Sequence, residues 1–396
     1  MYKKIDNADV SGKKIIVRCD FNVPLKDGVI QDDTRIREAL PTINYLLANE
    51  ASIILMSHLG RPKGEKVDKY SLKPVAEKLS QIIGKPVKFC PEAYGDIASD
   101  MSGNLRKGDV LLLENLRFYP GEEGNDPEFA KNISLNGDIF IQDAFGTVHR
   151  KHASMVGIPA ILPAFAGKLL QKEIDYLSKG LQPEHPLVVI LGGAKLQTKI
   201  PIIENMLKKA DTILVGGGMA YTFLKVQGHQ IGRSLLDEQN ISTAEKILDE
   251  VQQNSLDMLL PVDHIATDDL DDPKNIEKTG GADIPADLIG VDIGDKTLEQ
   301  YKKKIMSAKT IILNGPMGVF EKSEFESGTK RILEAVIEST RRGASSIAGG
   351  GDTVSAIKNL GFDTDSFTHV STGGGASLKF LEGKDLPGII VLEQES

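Results

Sequence analysis

The chain contains no tryptophan, and only two of its 396 residues are cysteine. Cys19 and Cys90 lie beside strand-like runs and match no metal-ligand spacing. They provide no disulfide framework, which suits a reducing compartment. No run of about 18 apolar residues occurs, so no membrane-spanning helix is expected. The opening stretch MYKKIDNADVSGKK lacks the apolar region of a secretory signal. Positive charge is in the minority: 47 Lys and Arg against 56 Asp and Glu give a net charge of −9. That balance argues against a nucleic-acid or membrane-surface partner, and local cations must hold any anionic ligand. Neither G-x-x-x-x-G-K-[ST] nor G-x-G-x-x-G is present, which disfavours a P-loop NTPase and weakens a dinucleotide-binding reading.

What the chain does have is 39 glycines and a regular alternation of short apolar runs with helical patterns. The strand-like runs cover 14–21, 51–58, 86–90, 109–118 and 138–145 in the first half. In the second half they cover 186–193, 211–218, 257–264, 309–316, 345–351 and 367–372. Continuous apolar strands separated by amphipathic helices imply parallel sheets with helices on both faces. Eleven such runs exceed one comfortable sheet, so two doubly wound α/β domains are expected. The boundary is expected at 168–186, where Leu170, Ile174, Leu177 and Leu181 recur at helical spacing and Gly180, Pro183 and Pro186 punctuate the end. A helix there either couples two domains or is one more packing helix. The acidic stretch 267–275, TDDLDDPKN, reads as a solvated loop.

Ligands of open parallel sheets bind beyond the carboxyl ends of the strands. In the first half those ends carry Asp20, Asn22 and Arg35, then His58 and Arg61, then Arg117, then His149, Arg150 and His152. One surface arginine is usually just solvated or ion-paired. Four on one sheet edge describe a basic pocket for a small, multiply charged anion, because guanidinium groups hold carboxylates and phosphates in bidentate fashion. In the second half the strand ends carry glycine: GGAKLQTK at 192–199, GGGMAYTF at 216–223, NGPMGVFE at 314–321, GGGDTVSA at 349–356 and TGGGASLK at 372–379. In any one loop, glycine can mean no more than a tight strand-to-helix turn. Five such loops in one domain point instead to backbone N–H groups approaching phosphate, with helix N-termini behind them. Thr353 is expected to cap the helix after GGGD, with Val354, Ile357 and Leu360 facing inward and Gly361 ending it. Among these loops Lys195 and Lys199 are candidate phosphate cations and Asp352 a candidate magnesium-side acid.

Together and in this order, VRCDFNVPL, SHLGRPKG, ENLRF, DAFGTVHR, GGAKLQTK, NGPMGVFE, GGGDTVSA and HVSTGGGASL resemble the phosphoglycerate kinase family along nearly the whole chain. The resemblance implies a cytoplasmic, usually monomeric glycolytic enzyme. It moves a phosphoryl group between 1,3-bisphosphoglycerate and ADP, giving 3-phosphoglycerate and ATP, with Mg²⁺. It implies two Rossmann-like domains: 1–168 for the phosphoglycerate, 169–185 as interdomain helix, and 186–376 for the nucleotide, with the tail 377–396 returning to the first. Asp20, Phe21, Asn22, Arg35, His58, Leu59, Gly60, Arg61, Arg117 and Arg150 match the family's substrate-binding positions. Lys199, Gly290, Glu321, Gly350, Gly351, Asp352 and Thr353 match its nucleotide positions, with Asp352 on the metal side. Arg35, Lys195, Gly373 and Gly374 match groups that flank the transferred phosphoryl. Three positions depart from the usual pattern: Asp295 stands for proline, Leu313 for tryptophan and Lys379 for glutamate.

The chemistry so implied fits the residues. The acceptor carboxylate is already ionised at neutral pH, so no general base is needed, and no nucleophile–base pair stands near the motifs. An anion-binding protein without chemistry would leave the glycine loops unexplained. A dehydrogenase would want the missing dinucleotide fingerprint.

Overall fold

The computed structural model describes residues 2–393. The chain divides into two compact units. One runs up to Ile174 and takes up the chain again from Asp385, and the other is Asp175–Lys384.

The first unit holds strands β1 (Lys14–Arg18), β2 (Leu25–Lys26), β3 (Val29–Ile30), β4 (Ser52–Met56), β5 (Val87–Cys90), β6 (Val110–Leu113), β7 (Ile139–Gln142) and β8 (Ala164–Ala166). Six of them form one parallel sheet in the order β5-β6-β4-β1-β7-β8. Its centre is apolar on both faces because the strands read IIV, SIILM and IFI without alternation. Ile16 pairs with Ile54 on one side and Phe140 on the other, and all three are fully buried. Each such side chain contributes about 1.5–3 kcal/mol of burial. Helices Leu40–Ala48 and Lys73–Ile83 cover one face: Ile43, Leu46, Val75 and Leu79 share a core with Ile15, Val17, Ile53 and Leu55.

The second unit holds β9 (Leu187–Leu191), β10 (Thr212–Val215), β11 (Asp257–Leu259), β12 (His264–Thr267), β13 (Ile276–Lys278), β14 (Ile289–Ile293), β15 (Thr310–Asn314), β16 (Ser345–Ala348) and β17 (His369–Val370). Its parallel sheet runs β11-β10-β9-β15-β16-β17. The strand order reverses between β9 and β15, and doubly wound sheets bind ligands at such a switch point, beyond the carboxyl ends. The Leu187–Leu191 run LVVIL is buried throughout, as a central parallel strand must be.

Each expected run contains a strand, though every strand is shorter than its run. The run 109–118 stops at Leu113 because Asn115 accepts the Arg117 N–H and turns the chain into a short 3-10 helix, Leu116–Phe118. Strand β8, the β2–β3 hairpin and the antiparallel sheet β13-β12-β14 were not anticipated. Ala164–Ala166 is three residues long and has no β-branched residue, and Ile276–Lys278 is exposed along its whole length. The first is too short and lacks the β-branched residues of a core strand, and the second lacks the apolar run.

A helix does form at the expected boundary, Lys168–Leu181, with Leu170, Ile174 and Leu177 buried, and the division between units falls inside it. The helix Gly375–Leu381 stays with the second unit, where Asn205 donates to the Leu381 carbonyl. The chain rejoins the first unit from Asp385 onward: Lys3 N–H donates to Leu392 and Gly388 N–H to Val148, both at 2.9 Å. Residues 394–396 of the expected tail lie outside the described residues. Thr353 does not cap its helix. The helix runs Gly351–Asn359 with Gly350 at its N-cap, so Thr353 sits inside the first turn. Gly361, at φ +77°, follows the helix end.

The three unusual residues have plain structural settings. Leu313 is a buried residue of β15. Asp295 opens the helix Asp295–Ser307 and pairs with Lys278 at 2.9 Å and Arg331 at 2.7 Å. Lys379 is an exposed residue of Gly375–Leu381.

Candidate active site

In the first unit, the segments that follow β1, β4, β6 and β7 converge on His58. Four arginines act on its ring: Arg18, Arg117, Arg35 and Arg150. The ring is 4% exposed, and burial together with those cations holds its pKa well below the usual histidine value. It is therefore neutral at physiological pH. Arg35, one-third exposed, is aimed by Asp20, whose Oδ2 accepts from Nη1 at 2.8 Å. Asn22 Oδ1 accepts the Gly60 N–H at 2.9 Å, and Arg117 Nη1 donates to the Gly60 carbonyl at 2.8 Å. The loop after β4 is thus pinned from two neighbouring strand ends. Phe21 and Leu59 are buried, and Phe21 N–H donates to Ser57 Oγ. These two support the loops from beneath. Arg61 is exposed.

Two residues of this site gave no signal in the sequence. Arg18 lies inside the apolar run of β1, fully buried, with Nη2 3.3 Å from His58 Nδ1. Asn115 holds the His58–Gly60 loop: its Oδ1 accepts the Leu59 N–H, and its Nδ2 donates to the carbonyls of Leu59 and Tyr70. A buried polar side chain with all its partners met is costly to move, so the loop geometry is set before any ligand arrives.

In the second unit, a cavity of about 420 Å³ opens beside the switch point. That size suits a small ligand or cofactor fragment. Its walls include Gly193 and Ala194 after β9, Gly217 and Gly218 after β10, and Pro316, Gly318, Phe320 and Glu321 after β15. Tyr221, Leu235, Leu270, Ile289, Gly290 and Val291 close its apolar side, and Asp352 also lines it. Gly290 is there because nothing larger fits: a Cβ would lie 2.3 Å from the Tyr221 hydroxyl. The leucine, isoleucine and valine positions come from three separate segments, and no local pattern marked them.

The loop Gly349–Thr353 meets the same sheet edge. Gly350 has φ +97°, and a Cβ on it would lie 2.6 Å from Asn314 Nδ2. Both facts restrict the position to glycine. Thr353 Oγ1 accepts from Gly315 N–H at 2.8 Å and donates to the Gly349 carbonyl at 2.7 Å. It thereby ties the β15 loop to the β16 loop. Gly351 is the first residue of the helix, so its N–H belongs to the free helix terminus. Lys199 Nζ donates to Asn314 Oδ1, and Asn314 Nδ2 donates to the Gly349 carbonyl at 2.6 Å. Burial lowers the Lys199 pKa to about 8, opposed by the carboxylate of Asp352. Lys195 is exposed at the end of the same β9 loop. Gly374, at φ +53°, is the N-cap of Gly375–Leu381, and Gly373 N–H donates to Ser371 Oγ.

Among the described residues, no group of three or more His, Cys, Asp or Glu side chains could hold a metal by itself. One exposed carboxylate, Asp352, in a glycine loop at a free helix terminus fits a hard cation that takes most of its oxygens from phosphates and water. No helix among the described residues is long and apolar enough to cross a membrane.

Comparison with known proteins agrees with this arrangement. The family model described as phosphoglycerate kinase matches residues 5–384. The chain is 50% identical over 393 residues to the phosphoglycerate kinase of Borrelia hermsii, covering 99% of each. It is 51% identical over 389 residues to that of Thermosipho africanus, covering 97% of this chain and 96% of the other. The solved structure of phosphoglycerate kinase from Coxiella burnetii superposes with a TM-score of 0.90 at 39% identity, covering 99% of both chains. The enzyme from Pyrococcus horikoshii gives 0.84 at 32% identity. A parallel sheet ringed by arginines, a second ringed by glycine loops and a family match over almost the whole length have one common explanation: the chain belongs to the phosphoglycerate kinase family.

Proposed function

We propose that the two strand-end sites divide the two substrates of the family's reaction between them. That reaction is a reversible transfer of a phosphoryl group between 1,3-bisphosphoglycerate and ADP, yielding 3-phosphoglycerate and ATP, and it makes the chain a glycolytic kinase. In this reading the first unit takes the phosphoglycerate. Arg35, Arg117 and Arg150 meet its phosphate and carboxylate, His58 and Asn22 orient it, and Asp20 keeps Arg35 in place. Arg61 adds an exposed cation. The second unit takes ADP or ATP. The 420 Å³ cavity receives the base and ribose, with Gly290 and Tyr221 on its apolar side and Glu321 positioned to accept from ribose hydroxyls. The phosphates lie against Gly350, Gly351 and the first turn at Asp352 and Thr353, with Lys199 as counter-charge. Asp352 would hold Mg²⁺, which supplies charge neutralisation of the nucleotide phosphates.

In the ATP-forming direction a phosphate oxygen of ADP attacks the acyl phosphate, and the 3-phosphoglycerate carboxylate leaves. No proton transfer is required, so catalysis rests on positioning and on charge. Arg35 and Lys195 face the equatorial oxygens of the transferred group, with backbone N–H groups at Gly373 and Gly374 beside them. The units must bring their ligands into line and exclude water. We place the bending at the helix Lys168–Leu181 and around 372–385. The enzyme acts as a cytoplasmic monomer without nucleic-acid or membrane partners.

The observation that carries this reading is the convergence of four arginines on a buried, neutral histidine at the sheet edge. Such a set of guanidinium groups suits a small polyanion. The test is an assay that couples 1,3-bisphosphoglycerate formation to NADH oxidation. Turnover with 3-phosphoglycerate and Mg-ATP is expected, and its absence would overturn the reading.

A further inference from the structure

Behind the arginine site lies a chain of buried polar groups that the reaction above does not use. Glu122 is fully buried in the short helix Pro120–Glu123. Its Oε1 accepts from Ser154 Oγ at 2.6 Å, and its Oε2 accepts from Ser154 N–H at 3.0 Å. Ser154 Oγ in turn accepts from Arg18 Nε at 2.9 Å. Arg18 Nη1 donates to the Cys19 carbonyl, and Nη2 lies 3.3 Å from His58 Nδ1. Burial alone would raise the Glu122 carboxyl, but His152, Arg18 and Ser154 together keep it below its ordinary value. Glu122 is therefore an anion, and it offsets the buried charge of Arg18.

The orientation of His58 follows from donor chemistry. A guanidinium has N–H donors and no acceptor. Nδ1 of His58 must then accept from Arg18. The nearest acid, Asp20, has Oδ1 4.0 Å from Nδ1, beyond hydrogen-bond distance. A neutral ring that accepts at Nδ1 carries its hydrogen at Nε2. The ring is kept neutral by burial and by the charges that face it, Arg18 from β1, Arg35, Arg117 and Arg150. The alternative tautomer would turn a lone pair toward an anionic ligand and set an N–H of the ring against the Nη2 donors of Arg18.

We infer that Glu122 is a positioning residue of the strand-end site: through Ser154 it holds Arg18, and Arg18 fixes His58 as a neutral Nε2–H donor toward the bound anion. The ligand part of this inference rests on the phosphoglycerate reading; the tautomer does not. The experiment is long-range ¹H–¹⁵N NMR of the full chain with ¹⁵N-labelled histidine. The His58 signals are assigned by their loss in His58→Gln. The ligand-free wild type should show a single neutral Nε2–H tautomer from about pH 6 to pH 8. Ser154→Ala and Glu122→Gln should both let His58 exchange between tautomers. Both should also raise KM for 3-phosphoglycerate roughly ten-fold with a smaller effect on kcat, as expected when a buried charged hydrogen bond is lost. A loss of packing alone would not move the tautomer. If Glu122→Gln fails to fold, Ser154→Ala decides. The inference is overturned if wild-type His58 carries its hydrogen on Nδ1, or if Ser154→Ala keeps both the Nε2–H tautomer and wild-type KM. If the tautomer behaves as stated but 3-phosphoglycerate leaves the His58 signals unmoved, the positioning chain stands and the phosphoglycerate reading fails.

Discussion

Arg35 combines two properties that a transition-state cation needs. Asp20 fixes one edge of its guanidinium at 2.8 Å, and the rest remains one-third exposed. Arg35→Ala should lower kcat by roughly a thousand-fold, the scale of an arginine that meets charge on a transferring phosphoryl group. The nucleotide KM should change little, as the role proposed for this residue on the transition state requires. Steady-state kinetics with nucleotide varied checks both, and an unchanged kcat would remove Arg35 from catalysis. Lys199 sets a pH dependence. Its pKa of about 8 in the free protein means that it is charged below that pH and loses its proton above it. Polyphosphate favours the charged form, so nucleotide affinity should be level below about pH 8 and fall as pH rises further. Binding near pH 8.5 should take up protons, to be read by calorimetry in buffers of different ionisation enthalpy. Lys199→Met should abolish the uptake. Arg35 and Lys199 were legible as cations after strand ends. Arg18 was not, because an arginine inside an apolar strand reads as an interruption until its partners Ser154 and Glu122 are seen in space.

At the scale of elements, the helix Lys168–Leu181 shows what burial does to a cap. Asp143, just past β7, accepts from Leu169 N–H at 3.0 Å and Leu170 N–H at 3.2 Å through one oxygen. The other oxygen, Oδ2, is buried without a hydrogen-bond partner. Burial raises the carboxyl to about 7, against the opposing pull of the Thr42 side chain and of the Leu170 and Leu169 N–H groups. An unfolded aspartate titrates near 4, so between about pH 4 and pH 7 the fold retains a proton that the unfolded chain has lost. Stability therefore falls as pH rises through that window, and the cost is full above about pH 7. Asp143→Asn cannot ionise. Its Tm should exceed the wild-type value at about pH 8, and the gap should close toward pH 5. A gap independent of pH would contradict this origin. The strands themselves were legible wherever a parallel sheet buries both faces, as in Ser52–Met56 and Leu187–Leu191. They were not legible where pairing needs no apolar side chains, as in exposed Ile276–Lys278. Thr353 misled for a related reason. A threonine after glycines looks like a cap, but its hydroxyl is taken up between Gly315 and Gly349, two loops brought together only by the sheet.

For the whole molecule, the proposed function assigns one substrate to each unit, and on that reading transfer requires the two substrates to be brought together. Small-angle scattering should show a smaller radius of gyration with 3-phosphoglycerate and Mg-nucleotide together than with either alone. An unchanged radius would argue strongly against closure. What the sequence determined by itself was the sheet architecture and the chemical character of each half, arginine in the first and glycine in the second. Those depend on period, composition and the rule that loops follow strands, all of which are local. What only the tertiary structure decided was which groups meet. Arg18 joins three other arginines around His58, Asn115 secures a loop from another strand, and Leu235, Leu270, Ile289 and Val291 make one cavity wall. The strand order of each sheet sets those meetings, and strand order is a property of long-range pairing that no stretch of sequence carries on its own.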